Sequence, residues 1–156
     1  MSDVITATEL RQWDADAQRL TDLVLATPAS DLDQVVAGEW SARQVLAHLL
    51  DAEIVYGARL RAVVANPGST IALFDQDAQA TEIPYRDVPI EAVAAAFLSL
   101  RRVNTAVALA LPASAWKRTV EHPERGTQTL GVIARVFGEH VADHLPELEG
   151  AAHARG

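Results

Sequence analysis

The chain has 156 residues and a formal net charge of −8, with 49% hydrophobic and 22% charged residues, enough for one domain with a core and too few for two of ordinary size. The acidic balance, with only Arg101-Arg102 and Lys117-Arg118 as adjacent basic pairs, leaves no basic stripe for a nucleic-acid backbone. No cysteine is present, which excludes disulfides, cysteine nucleophiles and thiolate sites, so any metal is held by His, Asp or Glu.

Met1-Ser2-Asp3 does not lead from a basic segment into an apolar one, and no apolar run approaches the roughly 18 residues of a membrane span. The expectation is a cytoplasmic protein without a membrane partner. Ala-rich and Leu-rich segments with few aromatics favour an all-α fold. Thr6-Ala7-Thr8-Glu9 has the form of a capping box, and Leu10, Trp13, Ala17, Leu20 and Val24 follow at helical spacing up to Pro28. Asp31 to Glu39, with Gly38, reads as a connection.

Ser41 and Gln44 form a second capping box. Val45, His48, Leu49, Ala52, Tyr56, Leu60 and Val63 then make an inward stripe that stops before Asn66-Pro67-Gly68, predicting a second helix of roughly 24 residues. His48 lies on that stripe, either as a buried ring satisfied by a neighbour or as a ligand. Asp51, one turn on, is placed to orient it.

Residues 67–88 form a long connection with a short helical patch around Asp75 to Thr81, the length needed to cross the end of a bundle. Asp87 is the expected N-cap of a third helix, with Pro89 just inside it. Ile90, Val93, Phe97, Leu100, Val103, Val107 and Leu111 form its stripe, with Arg101 and Asn104 on a solvated edge. Pro112 to Gly126 is a second long connection holding Trp116 and an exposed His122. Thr127 is the expected cap of a fourth helix with the stripe Leu130, Ile133, Phe137, His140 and His144. Pro146 is expected to end or kink it, and residues 150–156, with His153, to form a flexible tail.

His140 and His144 stand four residues apart, about 6 Å along a helix axis and about 40° around it, so both rings reach one point. That spacing suits a shared metal ion, and it also suits two ordinary hydrogen-bonded core histidines. No Gly-rich phosphate loop, Gly-x-Ser-x-Gly elbow or His-Glu-x-x-His signature occurs. Four amphipathic segments with two long crossovers predict a four-helix bundle. Such cores build metal sites from facing helices, which would let His48 meet His140 and His144.

Trp40-Ser41 ahead of His48-Leu49-Leu50-Asp51-Ala52-Glu53, the Arg61 to Asp77 segment with Pro67 and Asp75, Arg101, Trp116, His122 with Gly126-Thr127-Gln128-Thr129-Leu130, and His140-x-x-x-His144-Leu145 together carry a likeness. The chain resembles the DinB/YfiT-like family of metal-binding four-helix bundles, over roughly residues 8 to 149. The resemblance implies an up-down-down-up bundle as a single domain over residues 1–150, with the tail over 151–156. It also implies a divalent ion on His48, His140 and His144, and characterised relatives of this kind include thiol S-transferases and a thiol-dependent isomerase.

Two readings of function follow. In the first, the ion leaves a coordination position open for water or a low-molecular-weight thiol that attacks a small electrophile. Arg61, Arg101 or His122 then positions an anionic thiol or substrate. In the second, the protein is a non-catalytic metal-binding or stress-related module that dimerises through exposed helix faces. Zinc and nickel head the list of metals suited to three imidazoles, with cobalt, iron and copper also compatible. The expected partners are a small-molecule substrate or thiol and a second copy of the chain, with no nucleic acid.

Overall fold

Two capping boxes start the first half of the fold. Thr6 opens α1 (Ala7–Leu25), its hydroxyl accepting from the Glu9 amide while the Glu9 carboxylate accepts from the Thr6 amide. Ser41 and Gln44 repeat the arrangement at α2 (Ala42–Ala65), which has the expected 24 residues. In each case the cap satisfies amides that the first turn leaves without partners. The structure, a computed structural model, describes residues 3–35 and 40–155. The connection read over Asp31 to Glu39 therefore lies partly outside the described residues, Gly38 included.

After α2 come a short α3 (Gln76–Glu82), capped by Asp75, and a 3-10 turn over Tyr85–Asp87. Pro89, not Asp87, is the cap residue of α4 (Ile90–Ala110). The Asp87 amide bonds back to Pro84, closing the preceding turn instead. A 3-10 segment over Ala113–Lys117 leads into an antiparallel hairpin, β1 (Thr119–His122) and β2 (Gly126–Thr129), in the register Thr119 to Thr129 and His122 to Gly126. The sequence reading of an irregular connection missed this hairpin, whose strands are only four residues each. Gly126 turns it at φ 69°, a left-handed conformation that costs glycine little. Thr129, not Thr127, caps α5 (Leu130–Arg155), accepting from the Val132 amide.

Side-chain contacts give the helix directions. Glu53 meets Arg101, and the Gly57 turn meets Asn104, so α2 and α4 run parallel. Arg135 meets Glu9 and Arg19 meets Glu149, so α1 and α5 run parallel. Asp14 accepts from Thr105 and Gln18 from Arg102, setting α1 against α4 in the opposite sense. The four long helices thus form the expected up-down-down-up bundle, with α1 and α2 each packed between α4 and α5. Parallel neighbours require the chain to return along the bundle. That return is the crossover, and it is zipped to the hairpin: Gly68 donates to Thr119, Ile71 to Glu121, and Glu121 back to Ser69.

The core divides into two apolar clusters, one around Leu20, Leu46, Phe97 and Leu145, the other around Trp13, Leu60, Trp116 and Ile133. Arg101 and Asn104, read from the sequence as a solvated edge, are 4% and 1% exposed. The inward face of α4 runs through Phe97, Arg101, Asn104 and Ala108, while Val103 is exposed. The reason is Glu53 on α2, itself 1% exposed, whose carboxylate lies 3.0 Å from Arg101 Nε and accepts from Asn104 Nδ2 at 2.8 Å. By length and mean hydropathy, 1.3 over 18 residues, α4 would qualify as a membrane span despite the sequence reading. In this fold it packs between α1 and α2, with a buried arginine at its centre.

The segment read as a tail is helical: α5 continues through Pro146 to Arg155, and His153 Nδ1 lies 2.8 Å from the Glu149 carbonyl oxygen. Pro146 neither stops α5 nor disturbs the burial of Leu145 and Leu148 on either side of it.

Gly138 marks a close approach of α5 to α1, because a Cβ there would stand 2.3 Å from the Trp13 ring. Gly138→Ala should destabilise the fold by about 1–3 kcal/mol through overpacking, read as a lower midpoint in urea. Arg101→Met, which strands Glu53, should cost about 3–5 kcal/mol in the same measurement. An unchanged midpoint in the second variant would remove the ion pair from the account of the core.

Candidate metal centre

His48 sits in the second turn of α2 and is 1% exposed. Because α5 runs antiparallel to α2, its His140 and His144 face the same point from across the bundle. The Nε2 atoms of His48 and His140 are 2.9 Å apart, those of His144 and His140 are 3.3 Å apart, and one ligand atom from each ring fits within a common 4.8 Å. Three nitrogens around a tetrahedral ion at 2.0–2.1 Å would stand about 3.3 Å from one another. The three side chains singled out from the sequence are therefore brought together at that scale.

Hydrogen bonding alone does not satisfy this cluster. An imidazole nitrogen offers either one proton or one in-plane lone pair, yet His140 Nε2 faces two other nitrogens. Burial, together with the neighbouring imidazoles, holds His48 neutral with its pKa near 3 and His140 near 4. Neutral rings with converging lone pairs are the form that ligates a divalent cation. His144 Nδ1 lies 3.4 Å from Glu147 Oε2, a carboxylate–histidine contact that orients a ligand ring. The donor set fits a divalent ion.

Asp51 does not orient His48. Its Oδ1 accepts from the Tyr85 hydroxyl at 2.5 Å, while Asp51 Oδ2 and His48 Nδ1 are both buried without a hydrogen-bond partner. Burial raises the Asp51 pKa and, with the Asp51 contact, that of Tyr85. The residues that do position His48 are aromatic: Trp40, 4.6 Å between ring centroids, and Phe74 from the crossover, stacked at 6.2 Å. Trp40 also stacks on His144.

Beside His140 opens a cleft of about 340 Å³, whose lining includes Arg59, Phe74, His122, Arg125, Phe137 and Asp143. His122, expected to be exposed, is 7% exposed and lines this cleft. The hairpin turn buries it: His122 Nδ1 accepts from the amides of Glu124 and Arg125, leaving the proton of the neutral ring on Nε2. Arg61 and Arg101, the other sequence candidates, do not line the cleft. Arg61 Nη1 is spent on the Gly57 carbonyl and Asn104, and Arg101 on Glu53.

Sequence reasoning overlooked Arg59, Phe74 and Arg125. Arg59 falls three residues after the stripe residue Tyr56 and reads as an edge arginine. Phe74 and Arg125 lie in connections where no periodicity gives a direction.

With this geometry in place, comparison with known proteins assigns the class. The model of the DinB superfamily matches residues 12–148, and the chain belongs to that superfamily. Two curated relatives, both named as proposed metal-dependent hydrolases, come from Oceanobacillus iheyensis and Bacillus mycoides. The first is 26% identical over 72% of this chain and 64% of its own length, so the match spans less than two thirds of that relative. The second is 24% identical over 92% of this chain and 86% of its own length. Among solved structures, YfiT from Bacillus subtilis, described as a probable metal-dependent hydrolase with an unusual four-helix bundle topology, superposes with a TM-score of 0.76. That match has 21% identity and covers 98% of this chain and 93% of that one, a likeness of fold.

The shifted histidines make stability depend on pH. His48 and His140 titrate near 3 and 4 in the fold against 6.5 for an unperturbed ring, so the unfolded chain binds more protons between those values. Their contribution is complete above about 6.5 and is lost as pH falls towards 4. Glu9, lowered to about 2, adds its own loss only below its ordinary range. Urea unfolding of the metal-free protein should show stability falling from pH 7 to 4, and a His48→Asn, His140→Asn variant should show a shallower fall. Equal slopes would contradict the buried neutral rings.

Proposed function

We propose that this member of the DinB superfamily is a metal-dependent enzyme in which His48, His140 and His144 hold a divalent ion, zinc or nickel being best suited. The observation that carries the reading is the convergence of three imidazoles at the edge of a 340 Å³ cleft. When bound there, a divalent cation supplies Lewis acidity and lowers the pKa of a protic ligand. The chain supplies the rest. Trp40 and Phe74 shield His48 from solvent, and Glu124 and Asp143 are the carboxylates lining the cleft that are available to accept a proton.

Hydrolysis of a small electrophile is the reading favoured by the names of the relatives. Thiol S-transfer or thiol-dependent isomerisation is the second reading, favoured by the size of the cleft: it is an order of magnitude larger than the roughly 30 Å³ share of one water. Because the chain has no cysteine, the thiol would be a dissociable small molecule. The proposal includes a cytoplasmic location and a homodimer, with no nucleic-acid or membrane partner.

Protein purified without a nickel column should carry close to one divalent ion per chain, and His144→Ala much less, by mass spectrometry. Activity with nitrophenyl esters, or with bacterial thiols and a chloro-dinitrobenzene, should depend on the metal and fall about a hundredfold or more in His144→Ala. Equal and low metal content in both proteins would remove the site. Metal binding without turnover on any substrate would favour a non-catalytic metal-binding or stress-related module.

A further inference from the structure

We propose that the cleft beside the three histidines is a carboxylate-binding subsite, in which Arg59, backed by Arg125 and His122, takes the anionic end of a small apolar monocarboxylic acid. This deepens the metal-dependent reading and rests on it for the position of the reacting end.

Arg59 is 9% exposed, and its guanidinium lies over the Phe137 ring at 5.5 Å. One Nη donates to the Ala72 carbonyl oxygen at 2.8 Å, but Nε is buried with no acceptor, and among the described residues no carboxylate forms an ion pair with Arg59. A buried guanidinium without a counterion is costly. Arg125 worsens the cost: together with burial it pushes the Arg59 pKa below its usual range. Two arginines brought to one cleft, with no carboxylate paired to Arg59 among the described residues, is the arrangement a bound anion would relieve.

His122 adds a ring N–H donor, because its Nδ1 accepts from two backbone amides and Nε2 is left to donate. Leu73, Phe74 and Phe137 line the same cleft and provide apolar wall. Glu124 and Asp143, both exposed, also line it, and they oppose a second negative charge. That combination selects a monoanion with an apolar body over a phosphate or a dicarboxylate.

The probe is benzoate, with neutral benzamide as control, titrated calorimetrically into the full-length protein. Metal content is measured on the same samples. Benzoate should bind, benzamide should bind at least about tenfold more weakly, and Arg59→Lys should weaken benzoate about tenfold or more by removing the planar fork. Arg125→Gln, at an exposed position, should weaken it severalfold and keeps the test decisive if the Arg59 variant does not fold. Benzoate affinity lost in His144→Ala while both arginine variants bind like the parent would place the anion on the metal and overturn the subsite.

Equal affinity for benzoate and benzamide, or affinity unchanged in both arginine variants, would overturn the assignment. So would inorganic phosphate displacing benzoate more effectively than acetate does. A protein that holds metal but ignores benzoate would sink this inference alone. One that lacks metal yet binds benzoate through Arg59 would sink the metal reading and keep the subsite.

Discussion

Burying Glu53 against Arg101 is the constraint from which the architecture follows. Either group alone at this depth would be an unpaired charge costing several kcal/mol, so α2 and α4 have to lie side by side in the one register that joins them. Asn104 closes the remaining carboxylate oxygen and Arg61 closes Asn104. Arg101 also reaches the Phe137 carbonyl oxygen on α5 at 3.4 Å, one turn before His140. The polar layer that divides the two apolar clusters therefore also sets the height at which α5 presents its histidines to His48. Because α2 and α4 are parallel, the chain has to travel back along the bundle, and that crossover, pinned to the hairpin, provides one wall of the cleft.

What was legible in the sequence is what repeats. Both capping boxes, the length of α2 and the stripes of α1 and α2 were readable because each signal is local and periodic. The inward faces of His48, His140 and His144 followed from the same periodicity. On α4 the signal was ambiguous: Phe97-Leu100-Val103-Val107 and Phe97-Arg101-Asn104-Ala108 are both helical stripes. Hydrophobicity favours the first, whereas a partner carboxylate on another helix selects the second. No window of sequence contains Glu53 and Arg101 together. The hairpin was missed for a related reason, since its four-residue strands are stabilised by pairing with residues 68–71 some fifty positions earlier.

The candidate centre combines two opposite electrostatic settings around one cleft. On the histidine side, burial and the neighbouring imidazoles hold His48 and His140 uncharged with their lone pairs available. On the cleft side, Arg59 carries a charge that the protein does not neutralise. The first setting suits a cation and the second an anion, and Phe137, whose ring meets both Arg59 and Tyr56, lines the cleft they share. The first setting is built by α2 and α5, which carry the three histidines. The second belongs to this chain's own crossover, hairpin and α2 arginine.

The zipping of residues 68–71 onto β1 also separates two degrees of structural constraint. The three imidazoles hang from long helices whose register is locked by buried charge, so nearly any shift there is penalised by the whole core. Leu73, Phe74, His122 and Arg125 hang from a loop and a hairpin that share backbone bonds and contribute few side chains to the polar layer. Substitution or insertion in that pair of segments redraws the cleft while the histidines stay where they are. The shape of the cleft and the position of the three histidines are therefore set by different parts of the fold.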